Sequence, residues 1–163
     1  MHPNDPVLRA SAGVAAVLAL GSAATTAYWV LGGTALLDTV GGYAEDLART
    51  RSPQALLVGL VVVAAKVAAG ALALALLAAL PPGLRRLART AGGLGATLLT
   101  AYGGLLVVVG ALVLTGVLRP DGPVDRRALT WHVLLWDLWF LVWGAALGVA
   151  VWRSRGTSAG PPS

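Results

Sequence analysis

The sequence predicts an all-α polytopic membrane protein, a single domain over residues 1–152 built as an antiparallel four-helix transmembrane bundle. Three observations carry that expectation. Composition is the first: 57% of the residues are hydrophobic and only 12% are charged. A soluble domain of this size cannot hide so much apolar surface, whereas a bilayer requires it. Second, the apolar residues gather into four runs, each long enough to cross a ~30 Å hydrocarbon core at ~1.5 Å per helical residue. Third, the connections between the runs are short, which makes successive helices antiparallel neighbours.

Taken in order, the first span covers residues 8–34. Its apolar run continues through Tyr28, Trp29 and Val30 to Leu37, too long for the core of a cleaved signal peptide, so the span is retained. The loop from Asp38 to Arg51 carries Val40, Tyr43 and Leu47 at helical spacing, which predicts a short interfacial helix over 40–48. Ser52-Pro53 opens the second span (53–80) as an N-cap followed by proline at the first helical position, and Pro81-Pro82-Gly83 ends it. The third span (94–118) is dense in glycine, including Gly95, Gly103, Gly104 and Gly110. Small residues let helices approach closely in lipid, so this span belongs at the centre of the packing. Asp125 is the expected N-cap of the fourth span (129–152), and the small polar tail 153–163 reads as disordered.

Charge and residue inventory narrow the function. The net charge is +5, but the arginines sit beside the apolar runs, so the expected partners are membrane lipids and their anionic headgroups, not nucleic acid. Arg85, Arg86 and Arg89 form an uninterrupted cluster, while the opposite side mixes its arginines with Asp38, Glu45, Asp46, Asp121 and Asp125. This favours the cytoplasmic membrane with both termini in the cytoplasm. There is no cysteine, which excludes thiolate catalysis and thiolate-held metals. No phosphate loop or nucleophile elbow is present, and a haem would need two histidines at membrane depth. Neither a metal nor a cofactor is expected.

Two ionisable residues lie inside the spans. Lys66 is the only lysine, ~18 Å along the second span and too deep to snorkel easily to either headgroup layer. Gly59, Gly70 and Ala73 share its helix face, which turns it into the bundle. Asp137 lies ~12 Å into the fourth span, where an ionised group costs ~2.5–3.5 kcal/mol on insertion scales. On a helical wheel Asp137 clusters with Thr130, Gly144 and Gly148, so an ion pair between Lys66 and Asp137 is the expected polar centre. Such a pair could equally serve only to fix helix register. His132, Trp136, Trp139 and Trp143 fall on another face, ~140° from Asp137, which argues against a His132–Asp137 dyad on a regular helix. That aromatic face either meets lipid, fills space between helices or walls a groove for a hydrophobic ligand. Thr25, Thr26, Tyr28 and Trp29 from the first span complete the same half of the bilayer, and Tyr102 of the third span would close the pocket from below.

The stretches Tyr28-Trp29-Val30-Leu31-Gly32-Gly33-Thr34 and Trp131-His132…Trp136-Asp137-Leu138-Trp139-Phe140-Leu141…Trp143-Gly144 resemble small actinobacterial four-span integral membrane proteins classed only as a domain of unknown function. The resemblance implies a four-span architecture and lends no catalytic residue. Three functional readings stay open. The leading one is a small hydrophobic, lipid- or isoprenoid-like molecule held in an intramembrane pocket, with Lys66 and Asp137 as polar anchors and Thr25, Thr26, Tyr28, Trp29, Tyr102, Trp136, Trp139 and Trp143 around it. The second is a membrane enzyme on an isoprenoid or lipid substrate, with Asp137 as acid/base and Lys66 as the other catalytic candidate. The third is a non-catalytic subunit or small oligomeric transporter that meets its own copies or another membrane protein.

Overall fold

The computed structural model of the protein describes residues 5–155. Four helical stretches within it are long and apolar enough to cross a membrane, so the protein is an all-helical, multi-pass membrane protein. The helices are α1 (Pro6–Val30), α2 (Gly42–Thr50), α3 (Pro53–Ala75), α4 (Pro82–Leu114), α5 (Arg126–Trp131) and α6 (Asp137–Arg155). A single π-helical turn, His132–Trp136, joins α5 to α6 into one continuous span.

Local chemistry sets most of the helix ends. Asp5, Ser52 and Asp125 accept backbone N–H groups at the starts of α1, α3 and α5. Without such acceptors the first N–H groups of a helix lack partners. The first helix stops at Val30, short of the expected residue 34, because Gly32 enters the left-handed region (φ 104°). Gly32 N–H then bonds Trp29 O and Gly33 N–H bonds Tyr28 O, the pair of bonds that closes a Schellman turn. The second span ends at Ala75 in place of residue 80. Leu77 and Ala78 tighten to the carbonyls of Leu74 and Ala75 before Pro81-Pro82 ends any continuation.

The third helix begins at Pro82, well before the apolar stretch 94–118. Hydropathy marks the part of a helix that lies in lipid, and the intervening Leu-Arg-Arg-Leu-Ala-Arg is a good helix former. At ~1.5 Å per residue its 33 residues extend about 50 Å, against a ~30 Å hydrocarbon core, so the first turns stand in the headgroup region. Residues 153–155, expected in a disordered tail, are the last residues of α6; the rest of that tail lies outside the described residues. Arg153 donates to Asp5 Oδ2 at 2.9 Å, which brings the start of α1 and the end of α6 together at one membrane face. Desolvation alone would raise the Asp5 carboxyl. The N–H groups of Leu8 and Val7 and the guanidinium of Arg153 outweigh it and hold the carboxyl below its usual range.

The bundle is closed on three sides. α1 packs between α3 and α6, α4 packs on α6, and α3 and α4 meet only sparsely. Alanine makes the central seam: Ala12, Ala15 and Ala19 of α1, Ala73 of α3 and Ala150 of α6 have no exposed surface. Lipid tails are as apolar as side chains, so it is close van der Waals approach, not the hydrophobic effect, that holds such helices together. Glycine brings α4 and α6 nearest. A side chain at Gly103 would meet the backbone of Leu141 and Asp137, and one at Gly144 would meet the backbone of Thr100.

Gly103→Ala places its Cβ 2.5 Å from Leu141 N and 2.7 Å from Asp137 O, and should destabilise the bundle by about 1–3 kcal/mol in mixed-micelle unfolding. Gly95→Ala meets only Leu147 Cδ2, at 3.7 Å, and should leave stability unchanged or slightly raised, since alanine favours helix by ~0.5–1 kcal/mol. Equal effects from the two would deny the close α4–α6 contact.

Candidate functional site

The site is built around the π-turn. In a regular helix His132 and Asp137 are ~140° apart at ~100° per residue, which is the basis on which the sequence argues against a dyad. A π-turn bonds each N–H one residue further back, and here Asp137 N–H bonds the carbonyl of His132. The wider turn brings the two side chains onto one side, with His132 Nδ1 3.2 Å from Asp137 Oδ1. This corrects the expectation from the wheel. Asp137 is 4% exposed, so in a span its carboxyl has to find its hydrogen bonds within the protein.

The other ring nitrogen fixes the proton count. His132 Nε2 lies 2.6 Å from the carbonyl oxygen of Val40. A carbonyl only accepts, so Nε2 carries a hydrogen and donates it. Nδ1 and Oδ1 then share one proton between them, as an imidazolium facing a carboxylate or a neutral imidazole facing a carboxylic acid. Either arrangement is neutral overall, which removes most of the cost of burying the acid.

The Val40 carbonyl is held out for this bond by the loop between α1 and α2. A 3₁₀ turn spans Leu37–Thr39, and Gly41 and Gly42 follow with φ of 63° and 57°. Thr39, 2% exposed, donates to Leu36 O and accepts the Trp136 indole N–H at 3.2 Å. The loop is thus keyed to both ends of the π-turn, through His132 and through Trp136. Trp136 also meets Trp29 edge-to-face with ring centroids 5.5 Å apart. The interfacial helix is Gly42–Thr50, shifted from the expected 40–48, with Val40 left outside it as an acceptor and Tyr43 turned to the exterior.

Lys66 does not pair with Asp137. Its Nζ donates to Thr26 Oγ1 at 2.7 Å and to Ser22 O at 3.4 Å. α1 stands between α3 and α6, so the hydroxyl face of α1 reaches the lysine first, and the side chain leans towards its own helix N-terminus as helical geometry dictates. Thr26 in turn donates to Ser22 O, and Thr25 donates to Gly21 O, the back-bonding common for threonine in spans.

Both polar groups nonetheless line one cavity of about 320 Å³, near the lower end of the ~300–1,000 Å³ usual for small-ligand sites. Lys66, Thr25 and Thr26 contribute to its wall along with His132 and Asp137. Trp29, Trp136, Phe140 and Tyr102 add aromatic surface, and Val58, Val62 and Leu56 of α3 add aliphatic surface. Ala44, Leu47 and Ala48 of α2 and the neighbouring Arg51 cover one end.

Several expected wall residues lie elsewhere. Tyr28 does not line the cavity; its hydroxyl accepts from Ala35 N–H. The Trp139 indole donates to Leu18 O across the α1 contact, against Gly21. Trp143 is 3% exposed and stacks on Phe140 in the core. Of the three tryptophans on that face only Trp136 reaches the cavity, so the aromatic row mainly fills space between helices. Gly144 and Gly148 face α4, as does the backbone of Asp137 at Gly103. Sequence reasoning set His132 aside and did not single out Val40, Thr39 or Phe140 for the site. The need of a buried acid for a nearby partner was the only available signal for His132. A loop carbonyl carries no residue-type signal at all.

A family model described as a protein of unknown function (DUF3995) matches residues 19–147. The chain belongs to this family. The DUF3995 match contains Lys66, His132, Asp137 and the other cavity-lining residues, while the arginines at the end of α6 fall outside it. No curated protein and no solved structure matches the chain.

In this DUF3995 protein a double-mutant cycle of His132→Ala and Asp137→Leu should give a coupling of at least about 1 kcal/mol in reversible unfolding. The single His132→Ala change should be the more damaging, because it leaves a buried acid without that partner. A coupling indistinguishable from zero would mean that the two side chains do not touch.

Proposed function

We propose that the protein holds a small, mostly apolar molecule with a hydrogen-bonding head in the cavity between α1, α3, α4 and α6. The observation that supports this most directly is the meeting of Lys66 and the His132–Asp137 pair at one aromatic-walled cavity inside the membrane. Lys66 supplies a donor to the head, and the His132–Asp137 pair can donate or accept. At ~30 Å³ of liquid volume per water molecule, 320 Å³ equals about ten waters, enough for a ring or short chain and too little for a whole lipid. A longer tail leaves through the sparsely closed side between α3 and α4, into the bilayer. Both termini lie in the cytoplasm on this reading, so the α2 end of the cavity faces the outer side of the cytoplasmic membrane.

A second reading is favoured by the single proton shared between His132 Nδ1 and Asp137 Oδ1. A neutral pair of this kind can protonate or deprotonate a bound lipid-like or isoprenoid-like substrate, with Asp137 as the acid/base and His132 orienting it.

The test is native mass spectrometry and small-molecule profiling of protein purified in mild detergent. Wild type should carry an apolar compound in near-stoichiometric amount. Val62→Trp, which fills the cavity from α3, should lose it. Lys66→Met and Asp137→Asn should weaken it ~10-fold or more, given ~1.5–3 kcal/mol for a hydrogen bond to a charged group. Identical compounds in identical amounts from wild type and all three variants would eliminate the binding reading. Retention of an altered, unconverted compound by Asp137→Asn would favour the enzymatic one.

A further inference from the structure

The opposite end of the bundle carries a second constellation, remote from the cavity around His132. Arg85, Arg86 and Arg89 on the first turns of α4 and Arg155 at the end of α6 surround a depression of about 460 Å³ with no acidic residue among its described lining residues. Arg89 donates to Ser154 O, and Arg85 donates through Nη2 to Leu80 O. The first bond ties α4 to the end of α6, and the second fixes Arg85 against the connection that precedes α4. Arg85 Nε is buried without a hydrogen-bond partner among the described residues, an arrangement that needs an acceptor the protein does not supply there. Arg86 and Arg155 are exposed. Arg85, Arg86 and Arg155 bring three guanidiniums together with no acidic residue among the described lining residues, and planar guanidinium forks match phosphate oxygens.

A second groove continues from this depression along the α4–α6 face. The two share Thr90 and Arg155, and the groove runs past Gly93, Ala96, Thr97 and Gly148 to Trp152. Its floor is low because glycine and alanine line it, and Arg155 lies over Gly93 where the two depressions join. The Arg cluster stands at the end of α4 that extends beyond the hydrocarbon core, so the groove descends from headgroup level into the acyl region. A free phosphate would use the first depression alone. A phospholipid uses both.

We infer that Arg85, Arg86 and Arg155 bind the phosphate of an anionic phospholipid, with one acyl chain lying in the groove between α4 and α6. The site is separate from the intramembrane cavity and stands or falls independently of it.

The test is titration of detergent-solubilised protein with phosphatidylglycerol, phosphatidylcholine and inorganic phosphate, read as lipid adducts by native mass spectrometry. Phosphatidylglycerol should bind roughly tenfold or more tightly than phosphatidylcholine, and Arg86→Gln with Arg155→Gln should reduce it to the phosphatidylcholine level. Both substitutions are at exposed positions, and an unchanged circular dichroism spectrum confirms the fold. Thr97→Trp, which fills the groove from an exposed position, should weaken both lipids while leaving the arginines intact. Unchanged preference for phosphatidylglycerol in the arginine variant would overturn the headgroup assignment. Millimolar inorganic phosphate displacing the lipid would overturn the phospholipid in favour of a free-anion site, and undiminished lipid binding by Thr97→Trp would overturn the acyl groove.

Discussion

A carboxyl group in hydrocarbon has no water to bond, and the half of the bundle around Asp137 is arranged to meet that constraint. An ionised acid at such depth costs ~2.5–3.5 kcal/mol, which a single protein domain feels acutely when its net stability is only ~5–15 kcal/mol. The chain answers with backbone geometry. One turn of π-helix between His132 and Trp136 places an imidazole against the acid and makes the pair neutral. That turn also sets Trp136 where it meets Thr39 and Trp29, so one local deviation positions three of the groups around the cavity. π-turns are rare and recur at functional sites, in keeping with a bonding pattern retained for what it positions.

The partners of the π-turn come from a loop, not from another span. Val40 O and Thr39 Oγ1 receive His132 and Trp136, and both lie in a segment shaped by a 3₁₀ turn and two left-handed glycines. The amphipathic α2 follows that loop directly, with only Gly41 between it and the Val40 carbonyl that receives His132. Irregular backbone at this depth is tolerated because its polar groups are satisfied within the protein.

The four-span, all-helical architecture was legible in the sequence because hydropathy and length follow directly from bilayer thickness. Ser52 and Asp125 announced helix starts through the same capping chemistry seen in the structure. Lys66 was found by its depth, and it does line the cavity. Its partner is not legible there, because a wheel compares angles on one helix and says nothing of which neighbour intervenes; α1 does, and Thr26 takes the lysine. The His132–Asp137 contact was illegible for a sharper reason. Its geometry depends on one extra residue in one turn, and the sequence His132-Val133-Leu134-Leu135-Trp136 contains no glycine or proline to mark it. Trp139 and Trp143 fill space between helices, one of the alternatives their spacing leaves open, because helical periodicity cannot tell a helix-facing stripe from a cavity-facing one.

The neutral His132–Asp137 pair is the central claim, and its most direct measurement is the protonation of the imidazole. Only His2 and His132 are histidines, so a His2→Ala background leaves one ring to observe by ¹⁵N NMR in micelles or nanodiscs. A neutral pair requires a proton bonded to Nε2, protected from exchange by Val40 O, with Nδ1 either protonated or strongly hydrogen-bonded to Asp137. A ring whose Nε2 is unprotonated, or whose Nδ1 signal is unmoved by Asp137→Asn, would contradict it.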